Sequence, residues 1–263
     1  MPERVAVTPG IDRGWLEEAA AADPIAHAWA LWDLDHAPDR VRFLTLSVEG
    51  TPSAYLLLWF GLPHAPVVHW VGSTRHPRPL LDEMPARPMI AIVPVEAAPA
   101  VEAIRGPAVG YPLLVMALPR EAPTPASGPV EARRLTRADR PALVEIAQQF
   151  PALLTASYAT VDPGIEPTFG LFAHGRLAGV ARVQVSLPTV WIIGGIFTVP
   201  EHRGRGFGRA LTVAATSAAR AEGALPALAV RESNASAVHL YGALGYRTVD
   251  RRVWVDAGVE RQP

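Results

Sequence analysis

The chain has 263 residues, 49% of them apolar, with 24 arginines and lysines against 25 acids, a net charge of −1 and no cysteine. That length favours two domains of roughly 100–150 residues. The balanced charge leaves no basic surplus for nucleic acid or acidic lipid, and the missing cysteine excludes disulfides, thiolate zinc sites and cysteine nucleophiles.

In chain order, the start MPERVAVTPG lacks a basic region followed by an apolar core, so no secretory signal is expected. Trp15–Ala22 and Ile25–Leu34 read as helices. Four short apolar runs bounded by Gly, Pro and charge then read as strands: Val41–Val48, Ala54–Phe60, Val67–Val71 and Met89–Val95. The longest apolar stretch, Ala54–Leu62, is about half a membrane span, so the expectation is a soluble, cytoplasmic protein without a membrane partner. A short helix, Ala97–Ile104, and a strand, Pro112–Ala117, complete the first half. Pro119–Pro129 (PREAPTPASGP) carries four prolines and reads as a stiff linker.

Beyond it, Val130–Leu135 reads as a strand and Thr136–Gln149 as a helix capped by Asp139 or Thr136. Phe150–Tyr158 reads as a second, proline-interrupted helix. Strands are expected at Thr168–Ala173, Leu177–Val185 and Thr189–Val199. The helix Gly206–Glu222 follows, with Leu211, Ala214, Ala215 and Ala218 at spacings of three and four. Ala227–Val230 is a strand, Asn234–Leu244 a helix with Gly245 at its exit, and Tyr246–Val249 and Arg252–Val255 a closing pair of strands. The expected fold is α/β (α+β) with two domains, 1–118 and 130–257, joined by the linker 119–129. The halves share an element order but little residue identity; duplication and two unrelated domains are both compatible with it.

The most informative segment is Ile196-Phe-Thr-Val-Pro-Glu-His-Arg-Gly-Arg-Gly-Phe-Gly-Arg-Ala-Leu211, a strand running through proline and alternating glycines straight into a helix. Glycines permit positive φ, so successive N–H groups converge on one anion, and the helix start adds unpaired N–H groups and a positive dipole end. Arg203, Arg205 and Arg209 add mobile positive charge. A pyrophosphate suits this arrangement. A P-loop is excluded because the chain has no lysine, and a dinucleotide fingerprint needs a G-x-G-x-x-G spacing early in a βαβ unit. The competing reading is an ordinary Arg/Gly-rich turn. Further on, Ser233 or Asn234 is a good cap for a helix whose stripe contains Ala237, Tyr241 and Leu244; taken alone, Tyr241 reads as a core aromatic.

Together these segments resemble the GNAT superfamily of N-acetyltransferases. Arg203, Gly206 and Gly208 match the Arg/Gln-x-x-Gly-x-Gly/Ala of motif A, preceded by Thr198-Val199-Pro200. Asn234, Leu240-Tyr241 and Leu244-Gly245-Tyr246 match motif B. The resemblance implies a central mixed, mostly antiparallel sheet flanked by helices in the C-terminal half. It implies that the loop Arg203, Gly204, Arg205, Gly206, Phe207, Gly208, Arg209 holds the pyrophosphate of acetyl-CoA as co-substrate. Ile196, Phe197 and Thr198 would lie along the pantetheine arm, Asn234 would position the cofactor, and Tyr241 would be the general acid. The N-terminal half has no comparable loop, Gly72-Ser-Thr-Arg-His-Pro-Arg-Pro being the nearest segment. It resembles in layout the degenerate half of tandem and glycine N-acyltransferase-like members.

An amine acceptor must lose a proton, and the expected fourth strand of this half, Thr189–Val199, carries no acid. Glu232 is a candidate base against its reading as a solvated strand-end charge; Asp162, Glu166 and His174 are weaker ones, and a water relay is also open. Gly194-Gly195 reads either as room for the acceptor or as a bulge. His202 and His239 have no companion at metal spacing and read as surface or packing residues, so no metal is expected. The partner implied is a small-molecule or amino-acid amine, with a homodimer left open. A non-catalytic acyl-CoA sensor is the alternative.

Overall fold

The computed structural model describes residues 3–62, 65–86, 88–105, 109–126, 128–150 and 161–258. They divide into two compact units. The first runs to Val115 and takes in Arg231–Asn234 and the segment from Asp250; the second is Met116–Val230 with Ala235–Val249. No described helix is long and apolar enough to cross a membrane.

In the first unit β1 (Val5–Pro9) pairs antiparallel with β2 (Val41–Val48), which continues through β3 (Thr51–Trp59) and β4 (Val67–Gly72) as an antiparallel meander. A crossover through α3 (Pro77–Glu83) brings β5 (Met89–Pro94) parallel to β4, and Arg252–Ala257 of β12 (Arg247–Ala257) closes antiparallel on β5. Helices α1 (Arg13–Ala22) and α2 (Ala28–His36) contribute Leu16 and Ala30 to a core with Phe43, Tyr55, Leu57 and Val71. Leu80, Leu81 and Val101, from α3 and α4 (Ala98–Arg105), share a second core with Leu56, Trp70 and Met89. One strand here is unforeseen and one expectation is corrected. Val5 and Val7 pack on that second core in a strand too short to stand out from its polar neighbours. Arg247 to Ala257 is one strand instead of a pair, because Asp250–Arg251 does not turn.

The second unit repeats the scheme. β6 (Val109–Ala117) ends in it, and β7 is only Arg133–Arg134, shorter than the expected Val130–Leu135. β7, β8 (Thr168–Ala173), β9 (Arg176–Ser186) and β10 (Val190–Thr198) are antiparallel neighbours, and α6 (Phe207–Ala221) crosses over to β11 (Leu225–Arg231), parallel to β10. The sheet in each unit is therefore mostly antiparallel, with one parallel pair. Thr136 and Asp139 form a reciprocal capping box at a short 3-10 turn leading into α5 (Arg140–Gln149), so both expected caps act together. Leu143, Ile146 and Ala147 of α5 bury against Leu177, Val180 and Phe197 on one face of the sheet. A fully buried leucine or isoleucine such as Leu143 or Ile146 contributes about 2 kcal/mol. On the other face α6 presses so close that a β-carbon at Gly179 would stand 3.0 Å from Leu211. The helix expected over Phe150–Tyr158 lies, apart from Phe150, outside the described residues.

Candidate active site

The parallel ladder between β10 and β11 pairs Val190–Ile193 with Leu225–Leu228 and stops there, although β10 runs on to Thr198 and β11 to Arg231. Two parallel strands that part company at their carboxyl ends open a crevice between them, the usual place for a ligand in such sheets. β10 bulges at the same point: its register against β9 steps by one between Gly194 and Phe197, with Gly195 at φ +57°. Ile196 lies in that bulge, Phe197 is buried opposite Val180, and Thr198 stands opposite Gly179.

Directly beyond β10 a 3-10 turn, Pro200–His202, leads to Arg203, whose Nε donates to the Thr198 carbonyl at 3.1 Å. Gly204 and Gly206 follow at φ +72° and +82°, and Gly206 is the cap residue of α6. No heavy atom lies within 4 Å of where a β-carbon would stand on either glycine, so left-handed backbone, and not crowding, is what demands glycine there. The first intrahelical bond of α6 runs from the Ala210 N–H to the Gly206 carbonyl at 2.9 Å. That leaves the N–H groups of Phe207, Gly208 and Arg209 at the helix front, where the dipole favours an anion. Phe207 is buried and stacks on His202 with ring centroids 5.2 Å apart, which gives that histidine a packing role. Arg205 is exposed at the loop crest. Arg209 instead reaches back to the Ala126 carbonyl at 3.0 Å, tying the proline-rich segment beside the loop.

Tyr241, on α7 (Ala235–Ala243), is 7% exposed, and burial pushes its phenol up to about 12. Its neighbour Leu240 lies 3.6 Å from the β-carbon position of Gly208, so α7 packs on the first turn of α6. Tyr246 packs 6.1 Å from Tyr241, and its hydroxyl meets Thr216 at 2.7 Å. Asn234 immediately precedes α7, its N–H bonded to the Arg231 carbonyl at 2.9 Å. Glu232 is ion-paired with Arg251 at 2.6 Å within the first unit. Asp162 is bound by Arg137, which holds its carboxyl below the usual range, and His174 sits in the β8–β9 turn at φ +51°. Glu166 pairs with Arg182. Arg182 and Gln184, which the sequence reading passes over, interrupt the otherwise apolar β9 beside Gly194; two polar residues in LAGVARVQV were the available signal.

Residues 133–246 match the model of the "Acetyltransferase (GNAT) family". No curated protein matches the chain. Solved structures do, over nearly the whole length. A Drosophila protein is 17% identical, with a TM-score of 0.70 over 95% of this chain and 98% of that one. A GCN5-related N-acetyltransferase from Sphaerobacter thermophilus is 18% identical, with a TM-score of 0.60 over 97% and 96%. A tandem GNAT protein from the clavulanic acid biosynthesis pathway is 18% identical, with a TM-score of 0.59 over 98% and 100%. At these identities the likeness is one of fold.

Proposed function

Residues 133–246 belong to the GNAT acetyltransferase family, and from that premise we propose that this chain moves an acetyl group from acetyl-CoA to the amine of a small molecule. The observation that carries this is the coincidence of three features at one point: the end of the β10–β11 ladder, the β10 bulge and the left-handed glycine loop at the front of α6. The pyrophosphate takes the N–H groups of Gly204–Arg209, with Arg203 and Arg205 beside it, and the pantetheine runs along Ile196–Thr198. Asn234 helps to position the co-substrate. Arg209 joins only by releasing Ala126.

The acceptor nitrogen attacks the thioester carbonyl carbon, the tetrahedral intermediate collapses, the C–S bond breaks and the sulfur leaves as a thiolate. Tyr241 is the group we assign to that sulfur. Its phenol stays protonated throughout the neutral range and donates to the departing thiolate. A phenol near 12 is a weaker acid than a thiol near 8.5 by about three pKa units. Full proton transfer is therefore expected late, as the acceptor nitrogen gives up its own proton. Glu232 is a poor choice for receiving that proton, because Arg251 already occupies it; a water relay serves better.

The first unit we read as a degenerate GNAT-like half. Its β4–β5 ladder also ends early, at His69–Ile92, but Arg252 reaches across to the Trp70 carbonyl at 2.9 Å and no left-handed glycine pair precedes α3. The occupied Glu232 and the acid-free β10 favour one alternative, an acyl-CoA sensor without acceptor chemistry. Thiol release from acetyl-CoA separates the readings. An amine-dependent rate that falls on the order of 10²-fold in Tyr241→Phe, with acetyl-CoA affinity kept, supports transfer; binding with no amine-dependent release supports the sensor.

A further inference from the structure

The sheet face that α5 covers changes character along β9. At one end Val180 and Phe197 are buried in the apolar cluster. Two residues on, Arg182 stands opposite Gly194 on β10 and Thr168 on β8, and binds Glu166 through both Nε and Nη2. This pair is mostly buried, its side chains 18% and 21% exposed. Next to it Gln184 is the residue of β9 that lacks a partner across the ladder. The register steps by one between Ile192 and Ile193, as it does again on β10 after Gly194. Facing bulges of this kind re-aim side chains. Here they lay the Gln184 amide over Gly194, where a β-carbon would stand 2.6 Å from the glutamine Cδ and closer still to its oxygen. Among the described residues that half-buried amide has no hydrogen-bond partner.

An unpartnered amide that is open to solvent and laid over a glycine keeps its donors and its acceptor available to a ligand. We propose that Gln184 is the acceptor-recognition residue of the site, and that its amide hydrogen-bonds an uncharged polar group adjoining the nucleophilic amine. Arg182 is already matched by Glu166, so the patch has no spare positive charge for a carboxylate. The acceptor class is therefore an amino alcohol or an amino-acid amide, and not a free amino acid. Gly194 belongs to the same device, since any side chain there evicts the glutamine. This inference rests on the acetyl-transfer reading.

The test compares ethanolamine with n-propylamine, and glycinamide with glycine, by thiol release from acetyl-CoA, with acetyl-CoA affinity measured calorimetrically in parallel. The wild type is expected to prefer ethanolamine and glycinamide about tenfold in kcat/KM, the size of one uncharged hydrogen bond. Gln184→Ala should erase the preference through acceptor KM while leaving acetyl-CoA affinity unchanged. Gly194→Ala should erase it in the wild-type background and cost nothing further in the Gln184→Ala background, because the two changes act on one contact. A preference that survives Gln184→Ala, or no turnover of either favoured amine by protein that binds acetyl-CoA, overturns the proposal. Failure of the wild type to bind acetyl-CoA overturns the transfer reading beneath it.

Discussion

Thr216 donates its one proton to the Thr212 carbonyl at 2.7 Å, so in the buried 2.7 Å contact with Tyr246 the phenol must be the donor. That direction predicts an asymmetry between two conservative variants. Tyr246→Phe leaves Thr216 satisfied and should cost about 1 kcal/mol or less. Thr216→Val strands a buried phenol proton and should cost about 1–3 kcal/mol; urea unfolding of both variants measures the difference. Tyr241 carries a pH consequence. Its folded value, about 12, lies above the ordinary 10, so the phenol adds no pH dependence to stability below about pH 10, and stability is lost as pH rises from there through 12. Wild-type kcat should accordingly show no alkaline decline attributable to this group before about pH 10. Gly206 is a fourth residue with a specific demand. Its β-carbon position is empty, so Gly206→Ala should pay only for left-handed backbone, about 1 kcal/mol.

Helix α2 holds Asp33, 6% exposed, with its carboxyl pushed up to about 7 by burial. A carboxyl raised in the folded state binds its proton more tightly there than in the unfolded chain, so stability falls as pH rises from about 4 to about 7. Asp33→Asn should raise Tm at pH 8, raise it less at pH 5 and leave it nearly unchanged below about pH 4; a rise of equal size at pH 8 and pH 4 would contradict the assignment to desolvation. Elements of this length were mostly legible in the sequence. The strands Val41–Val48 and Thr168–Ala173 fall where apolar runs between turn residues place them. Helix α6 appears at the expected site, although its buried stripe runs through Leu211, Ala215 and Ala219 with Thr212 and Thr216, leaving Ala214 and Ala218 half-buried. Its threonines are buried because they bond carbonyls one turn back, an option that hydropathy does not register. β1 went unread and β7 was expected longer than its two residues, because their pairing is decided by partners distant in sequence.

For the molecule as a whole, the glycine loop was readable because each of its residues answers to backbone geometry, and φ at Gly204 and Gly206 is that of the loop the spacing implied. The polar patch of Arg182, Glu166 and Gln184 was not, since it depends on two bulges whose register no local pattern announces. The same scheme of an antiparallel meander, a helix and a parallel strand occurs in both units, but only in the second does a pair of left-handed glycines precede the crossover helix, and in the first Arg252 bonds the Trp70 carbonyl where the ladder ends. One acetyl-CoA per chain is the expected stoichiometry. Isothermal titration of the full chain with acetyl-CoA, beside Gly206→Glu, tests that account most directly. Binding at one site per chain, abolished by a carboxylate placed at the front of α6 while the variant keeps its unfolding transition, is the result predicted. Two sites per chain, undiminished binding in the variant, or no binding by folded wild-type protein would contradict it.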